Sequence, residues 1–398
     1  MMAVTIAVVL LGLAIAALAV WIMGLLVFGA IPGTWIPLPA TTAAGDEGWL
    51  GLGKVALTIA AGVGGAVALV VAYRKQGLAE RHAFLDRYAT AAEQLGSSSA
   101  TVRLAGIYAL ANLADQWEEQ RQQCVEVLCA HLRLQWAPHE ADSLAPIQGE
   151  RSAECGLLRD NIARATHAER EVRTTILRVI GRHLLPDGNR PPDHSSWSAI
   201  PLDFRSATLP DVQWDDCLVP PVSFAAATFS GIAQFDRATF SGEADFDEVV
   251  FSRSGSFIKA RFKASANFRD TRFNQAGWFN EATFIGPAWF YDARFKSAAS
   301  LIEATFARSA WFDRAIFAGS AWFEDASFHR TALFRRAIFG NEVSFRRATF
   351  TEDAEFSDAT FDRPPELLGA SFLSGTPAEL ATPITSPNDA PSLREPGA

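Results

Sequence analysis

Lysine is scarce in this chain of 398 residues: Lys54, Lys75, Lys259, Lys263 and Lys296 stand against a large excess of arginine. With abundant Ala and Gly, that bias points to a GC-rich bacterial genome. Cysteine is scarcer still. Cys124, Cys129, Cys155 and Cys217 are too few and too irregularly spaced for a disulfide framework in a chain this long. Cys124 and Cys129 with His131 match no zinc-ligand spacing and read as buried thiols on a helix. The chain carries no P-loop, no dinucleotide fingerprint and no nucleophile elbow. His82, His131, His139, His167, His183 and His194 have no Ser, Cys or carboxylate at an informative spacing. No catalytic, cofactor-binding or metal-binding residue is therefore nominated. The net charge of −9 speaks for solubility and for no particular partner.

Charge is missing altogether from two long runs. From Ala3 to Ala30, 28 residues, Thr5 is the lone polar side chain; from Val55 to Tyr73, 19 residues, it is Thr58. About 20 apolar residues suffice to cross a bilayer, so residues 1–75 are expected to form a transmembrane hairpin with spans near 3–30 and 53–73. A cleaved signal peptide would need a basic start, which MMAVTIAVVL lacks. Arg74, Lys75, Arg81 and Arg87 follow the second run, whereas the segment between the runs offers Lys54 alone. By the positive-inside rule both ends then lie in the cytoplasm. The expected location is the bacterial cytoplasmic membrane, multi-pass, with the C-terminal domains cytoplasmic. Gly62 and Ala66, one turn apart, would let the two helices approach closely. No charge lies within either run, which argues against a pore or transport site.

Residues 76–197 read as an α-helical connector. RHAFLDRYATAAEQLGSSSATVRLAGIYALANLADQ gives two helices broken at Gly96, with Ser98 or Ser99 as cap of the second. CVEVLCAHLRL continues as a third helix and EREVRTTILRVIGRHL as a fourth, near 169–184; QWAPHEADSLAPIQGERSAECG between them reads as a loop. VRLAGIYALANLA is similar to a HEAT or armadillo helix, although one or two such units do not establish a helical solenoid.

The rest of the chain has a beat. From Phe224 to Phe361 the inward slots alternate in steps of five and six residues; of 26 slots, 25 are Phe and one is Leu301. Leu367 and Phe372 continue it. Phe204, Leu209 and Trp214 keep a similar spacing upstream, where WDDCLVPPVSF is expected to break it. Two places before nearly every slot stands Ala. In a strand, positions i−2 and i share one side and i−1 faces the other. Each unit is then one short strand with a small and a large side chain pointing inward, too small to stand alone. Winding four such strands into a square coil and stacking the coils buries them all.

ADF at 244–246 and ANF at 266–268 match the pentapeptide-repeat consensus A-(D/N)-(L/F)-x-x. The stretch 199–375 resembles a pentapeptide-repeat protein, in its Phe-rich variant with an eleven-residue double unit. The resemblance implies a right-handed quadrilateral β-helix over 198–375, with 22 residues per coil and the extra residue at alternate corners. Its 28 slots give about seven coils and a tower of roughly 34 Å. The tail 376–398, rich in Pro, Ser and Thr, is expected to be disordered.

A 22-residue coil sorts the outward i−1 positions into columns. One runs Asp245, Asn267, Trp289, Trp311, Leu333, Glu355, and its neighbour runs Val250, Arg272, Arg294, Ile316, Ile338, Thr360. Trp289, Trp311, Leu333, Ile316 and Ile338 would then form one exterior apolar patch. Exposed patches of this kind mark contacts. The occupant would be a second copy, a partner protein or the chain's own connector; the alternative is an aromatic ladder that only shields backbone. Trp278 and Trp322 fall in another column and are secondary candidates.

Between Arg253 and Arg347 the chain carries 15 basic and 8 acidic residues, while both flanks are acidic. Some pentapeptide-repeat proteins protect DNA gyrase by imitating the anionic surface of duplex DNA, and here the middle coils have the wrong sign. Nucleic-acid binding by the basic middle is interrupted by Glu281, Asp292 and Glu303. The reading favoured by the sequence is a membrane-anchored, non-enzymatic scaffold or interaction module; the alternative is a regulatory or protective protein that acts on an enzyme by surface mimicry.

Overall fold

The computed structural model describes residues 46–136, 153–191 and 194–381. The chain divides into two compact units, one up to Asp86 and one from Arg87 onward. Helix α1, Asp46–Leu95, ends at the expected Gly96 break. The first expected span, 3–30, lies outside the described residues; the second, 53–73, falls within α1. Among the described residues no helix is long and apolar enough to cross a membrane.

In the second unit α2 (Ala100–Gln116), α3 (Arg121–Arg133) and α4 (Ala153–Leu184) pack together. The apolar face of α2 buries Ile107, Leu110 and Leu113, and Gly106 allows the end of α1 to come close, since a Cβ there would lie 2.6 Å from the Leu95 nitrogen. Ser99 takes the N-cap position of α2 with extended backbone, but its side chain makes no capping bond. Helix α4 begins at Ala153, not near 169 as expected: past Gly156 the sequence holds no Gly or Pro to stop a helix until Gly181. Cys124, Cys129 and Cys217 are buried free thiols, and burial pushes them up to about 11, 12 and 12 respectively.

From β1 (Leu202–Asp203) to β31 (Ser371–Phe372) the chain winds as a four-sided solenoid of two-residue strands. Each side is one parallel sheet, of eight, eight, seven and eight strands in turn. Eight strands at about 4.8 Å make a tower of about 34 Å from first to last strand. The tower has one coil more than expected. WDDCLVPPVSF does not break the beat, because Val219 is fully buried in the slot between Trp214 and Phe224. There all steps are five, so Leu202 pairs with Val222; later coils lengthen until Val222 pairs with Ala244, 22 residues on.

From Phe204 to Phe350 the slot side chains and the small residues before them point inward and are buried; in the last coil Ala354, Phe361, Leu367 and Phe372 are only half-buried. Successive rings within one column stack nearly parallel: Phe284 on Phe306 at 4.7 Å, Phe290 on Phe312 at 4.8 Å. Rings from opposite sides meet edge-on, as Phe279 and Phe290 do at 5.6 Å and 87°. Where Thr271 replaces an inward Ala, its hydroxyl donates to the Phe246 carbonyl at 2.8 Å, so no polar group is stranded.

Five-residue and six-residue corners alternate. Each five-residue corner is closed by a bond from the N–H three places after the slot to the slot carbonyl, as from Ala293 to Phe290 at 3.2 Å. Its third residue is left-handed: Ala226, Glu248, Asp270, Asp292 and Arg314 all have φ between +50° and +60°. The six-residue corners have no such residue among those described, and there glycine serves close stacking instead. A Cβ at Gly286 would lie 2.3 Å from the Ala264 carbonyl carbon in the coil before it.

Residues 376–381, expected within a disordered tail, include a short helix α5 (Ala378–Ala381) with Leu380 buried. Residues 382–398 lie outside those described.

Candidate interaction surface

Parallel pairing one coil apart fixes the outside of the tower as firmly as the inside. Trp289 pairs with Trp311, and Trp311 with Leu333, on the first side; Ile316 pairs with Ile338 on the second. The five expected patch residues are therefore neighbours across one corner. Trp289 and Trp311 are half-buried, with ring centroids 6.0 Å apart at 31°. Ile338 is exposed, whereas Leu333 is only 8% exposed and supports the patch from beneath more than it displays it.

Tyr291 belongs to this group and was missed from the sequence. It sits one place after a slot, at the start of a corner, and its ring stacks on Trp311 at 6.3 Å and 25°. Burial, and then the nearby Asp313 carboxylate, push the Tyr291 phenol above its ordinary value. Asp313, one coil later, is 4% exposed and bonded by the Arg335 guanidinium, while its other oxygen has no partner among the described residues. The aromatic group thus lies beside an ion pair whose carboxylate is buried and whose guanidinium is half exposed.

Trp278 and Trp322 lie on the third side, two coils apart, with Ser300 between them in register. Ser300 is fully buried, so these two indoles close over a small residue and shield it.

The charged corners pair along the tower. Arg314 bonds Asp292, Arg347 bonds Asp325 at 2.7 Å, Arg237 bonds Asp216 at 2.7 Å, and Lys259 lies 3.2 Å from Glu281, each one coil apart. The Arg314 guanidinium holds Asp292, and the Arg347 guanidinium holds Asp325, below the usual carboxylate range. Positive and negative groups thus interleave instead of forming an unbroken anionic face.

The helices take the first coil, four coils away from Trp289. Arg173 of α4, 1% exposed, donates to the carbonyls of Leu132 and Leu134 at 2.7 Å and of Thr208 at 3.1 Å, and to Glu169 at 2.8 Å. The Trp214 indole donates to the Leu177 carbonyl at 3.0 Å, under Gly181, where a Cβ would come within 2.8 Å of the ring. His183 stacks on Trp197 at 3.8 Å and reaches Asp115 at 3.2 Å. Asp115 also accepts from the Ser195 hydroxyl at 2.5 Å. Ser, His and carboxylate meet here, but the carboxylate stands between the other two, so the imidazole cannot take the hydroxyl proton. Burial alone would raise Asp115; the hydrogen bonds from His183 and Ser195 outweigh it and hold the carboxyl low.

Among the described residues no group of His, Cys, Asp and Glu is placed to hold a metal ion. The repeat region is a pentapeptide-repeat β-solenoid: residues 224–272, 235–283, 279–327 and 323–371 match the family model described as pentapeptide repeats (9 copies). Comparison with curated proteins and with solved structures gave no match.

Proposed function

We propose that the protein is a non-enzymatic scaffold, anchored in the bacterial cytoplasmic membrane by its N-terminal hairpin, whose solenoid docks a protein partner on the Trp289–Trp311 patch in the cytoplasm. The observation that carries this reading is the half-exposed aromatic group of Trp289, Trp311 and Tyr291 on a rigid, closed tower. The tower interior is a stack of Phe and Ala that leaves no polar cleft for chemistry. Support for the anchor comes from α1: Val63, Leu69, Val70, Val71 and Tyr73 are exposed on a stretch without charge, a surface that water covers poorly and lipid covers well. DNA-like mimicry needs a continuous negative surface, and the interleaved ion pairs argue against it.

Cross-linking in native membranes followed by mass spectrometry tests the docking. A cross-linked partner should appear with the unsubstituted chain and disappear with Trp289→Ser and Trp311→Ser combined. An unchanged cross-link pattern and an unchanged oligomeric state would leave the tryptophans as backbone shields.

A further inference from the structure

The second side of the tower sets two like charges in register. Arg272 and Arg294 stand directly opposite each other in neighbouring strands, both exposed, and Lys296 follows two residues after Arg294. Among the described residues none of the three makes an ion pair; the nearby Asp292 is bonded by Arg314 instead. Like charges directly opposite on a sheet repel. Elsewhere the tower answers several cations with an acid one coil away, at Asp216–Arg237, Asp325–Arg347 and Glu352–Arg330. Arg261 and Lys263 on the fourth side also lack an ion pair among the described residues, but Arg261 stands between Thr239 and Thr283 and faces no second cation in register. On this side the next two members of the column are Ile316 and Ile338, flanked by Ala318 and Gly340. No outward position of the side between Arg272 and Gly340 carries an acid.

We infer that this side receives a partner polypeptide whose segment combines acidic and apolar side chains. Its carboxylates lie on Arg272, Arg294 and Lys296, and its apolar side chains lie on Ile316 and Ile338. The inference rests on the docking reading above, because Ile316 and Ile338 belong to both surfaces. A guanidinium pair at strand spacing accepts carboxylates in its fork geometry. A nucleic acid fits less well: its backbone would gain nothing from two isoleucines and would run beside Asp270 and Asp292 at the corner.

The test uses the full-length protein in detergent and a short fluorescein-labelled peptide composed of Glu and Leu. The Glu/Leu peptide should bind, a Lys/Leu peptide should not, and added salt should weaken the complex. Arg272→Glu with Arg294→Glu should weaken binding by roughly tenfold or more, and Ile316→Ser with Ile338→Ser should weaken it without changing its salt dependence. All four side chains point outward, and an unchanged melting profile of each variant checks that the tower is intact. Arg272→Gln with Arg294→Gln should give an intermediate loss. Equal binding of both peptides, binding untouched by charge reversal, or stronger binding of a single-stranded oligonucleotide or of inorganic phosphate would each overturn the inference. If charge reversal leaves the membrane cross-link in place while Trp289→Ser with Trp311→Ser abolishes it, this inference falls and the docking reading stands. If neither pair changes the cross-link, the docking reading falls as well.

Discussion

Phe290 in the tower meets nearly the same surroundings as Phe268 before it and Phe312 after it. Arg173 in the helices meets surroundings shared with no neighbour: two carbonyls at the C-terminal end of α3, one from the first coil and the Glu169 carboxylate. The tower repeats one apolar contact, so its stability is close to a sum over like coils. The helical segment depends on polar contacts used once, each buried and each directional. Loss of one ring should thin a stack; loss of one guanidinium should undo a junction.

The largest expected effects break each region in its own way. Phe290→Ala should cost about 3–5 kcal/mol, seen as a lowered melting temperature and as faster hydrogen exchange centred on the coils that contain Phe268 and Phe312. Tyr291→Ala, on the outside of the same coil, should cost far less; equal melting shifts would show that the inward ring is not what holds the coil. Arg173→Met should cost a similar amount, about 3–5 kcal/mol, because three carbonyls lose their donor and Glu169 is left with Arg103 and His131. Its exchange signature should differ, with protection lost across α3 and α4 and retained in the coils around Phe290. Protection lost uniformly along the tower would mean that the two regions are not separable.

Acid should sharpen the contrast. Burial tends to raise Glu169, but the hydrogen bond from His131 and the charge and hydrogen bond of Arg173 hold it below its ordinary range; Asp203 is held low first by its bond from Arg205. A depressed carboxyl contributes stability that is complete above the ordinary carboxylate value and is lost as pH falls through the lower folded value. The helical junction should therefore loosen below about pH 4. In the tower the signs are mixed: burial raises Asp215 and Asp247, whose protonation favours the fold, while Asp216, Asp292 and Asp325 are held low by arginines one coil away in exposed pairs that contribute little to stability. Limited proteolysis across that range should release the helices before the solenoid; simultaneous cleavage would contradict the difference.

The smallest effect runs toward stability. Ala226 is held at φ +58° without the freedom of glycine. Ala226→Gly should stabilise the tower by about 0.5–1 kcal/mol, the relief of the left-handed backbone outweighing the extra freedom of the unfolded chain. A lowered melting temperature would place the corner outside that strained region.

Much of the tower was legible because a period needs no knowledge of distant contacts. Ala and Phe at i−2 and i announce which side is inside, and the alternation of five and six announces alternating corners. Trp214 to Phe224 misled for a physical reason: Val219 fills an inward slot as well as Phe does where the first coil is narrower, so identity changed while geometry did not. Tyr291 was overlooked because it begins a corner, where the strand rule no longer says which way a side chain faces. Leu333 was correctly placed in its column beside Trp311, but how far an outward side chain is covered depends on its neighbours' side chains, which the repeat does not specify.

Sequence alone determined the winding, the register and the membership of each outward column, since all three follow from a repeat length and from the exclusion of Phe from water. Tertiary structure decided the rest: that Arg173, Trp214 and His183 join the helices to the first coil, that corner charges find partners one coil away, and that Arg272 and Arg294 do not. Those outcomes depend on the reach and direction of single side chains across a junction, and no period in the chain encodes them.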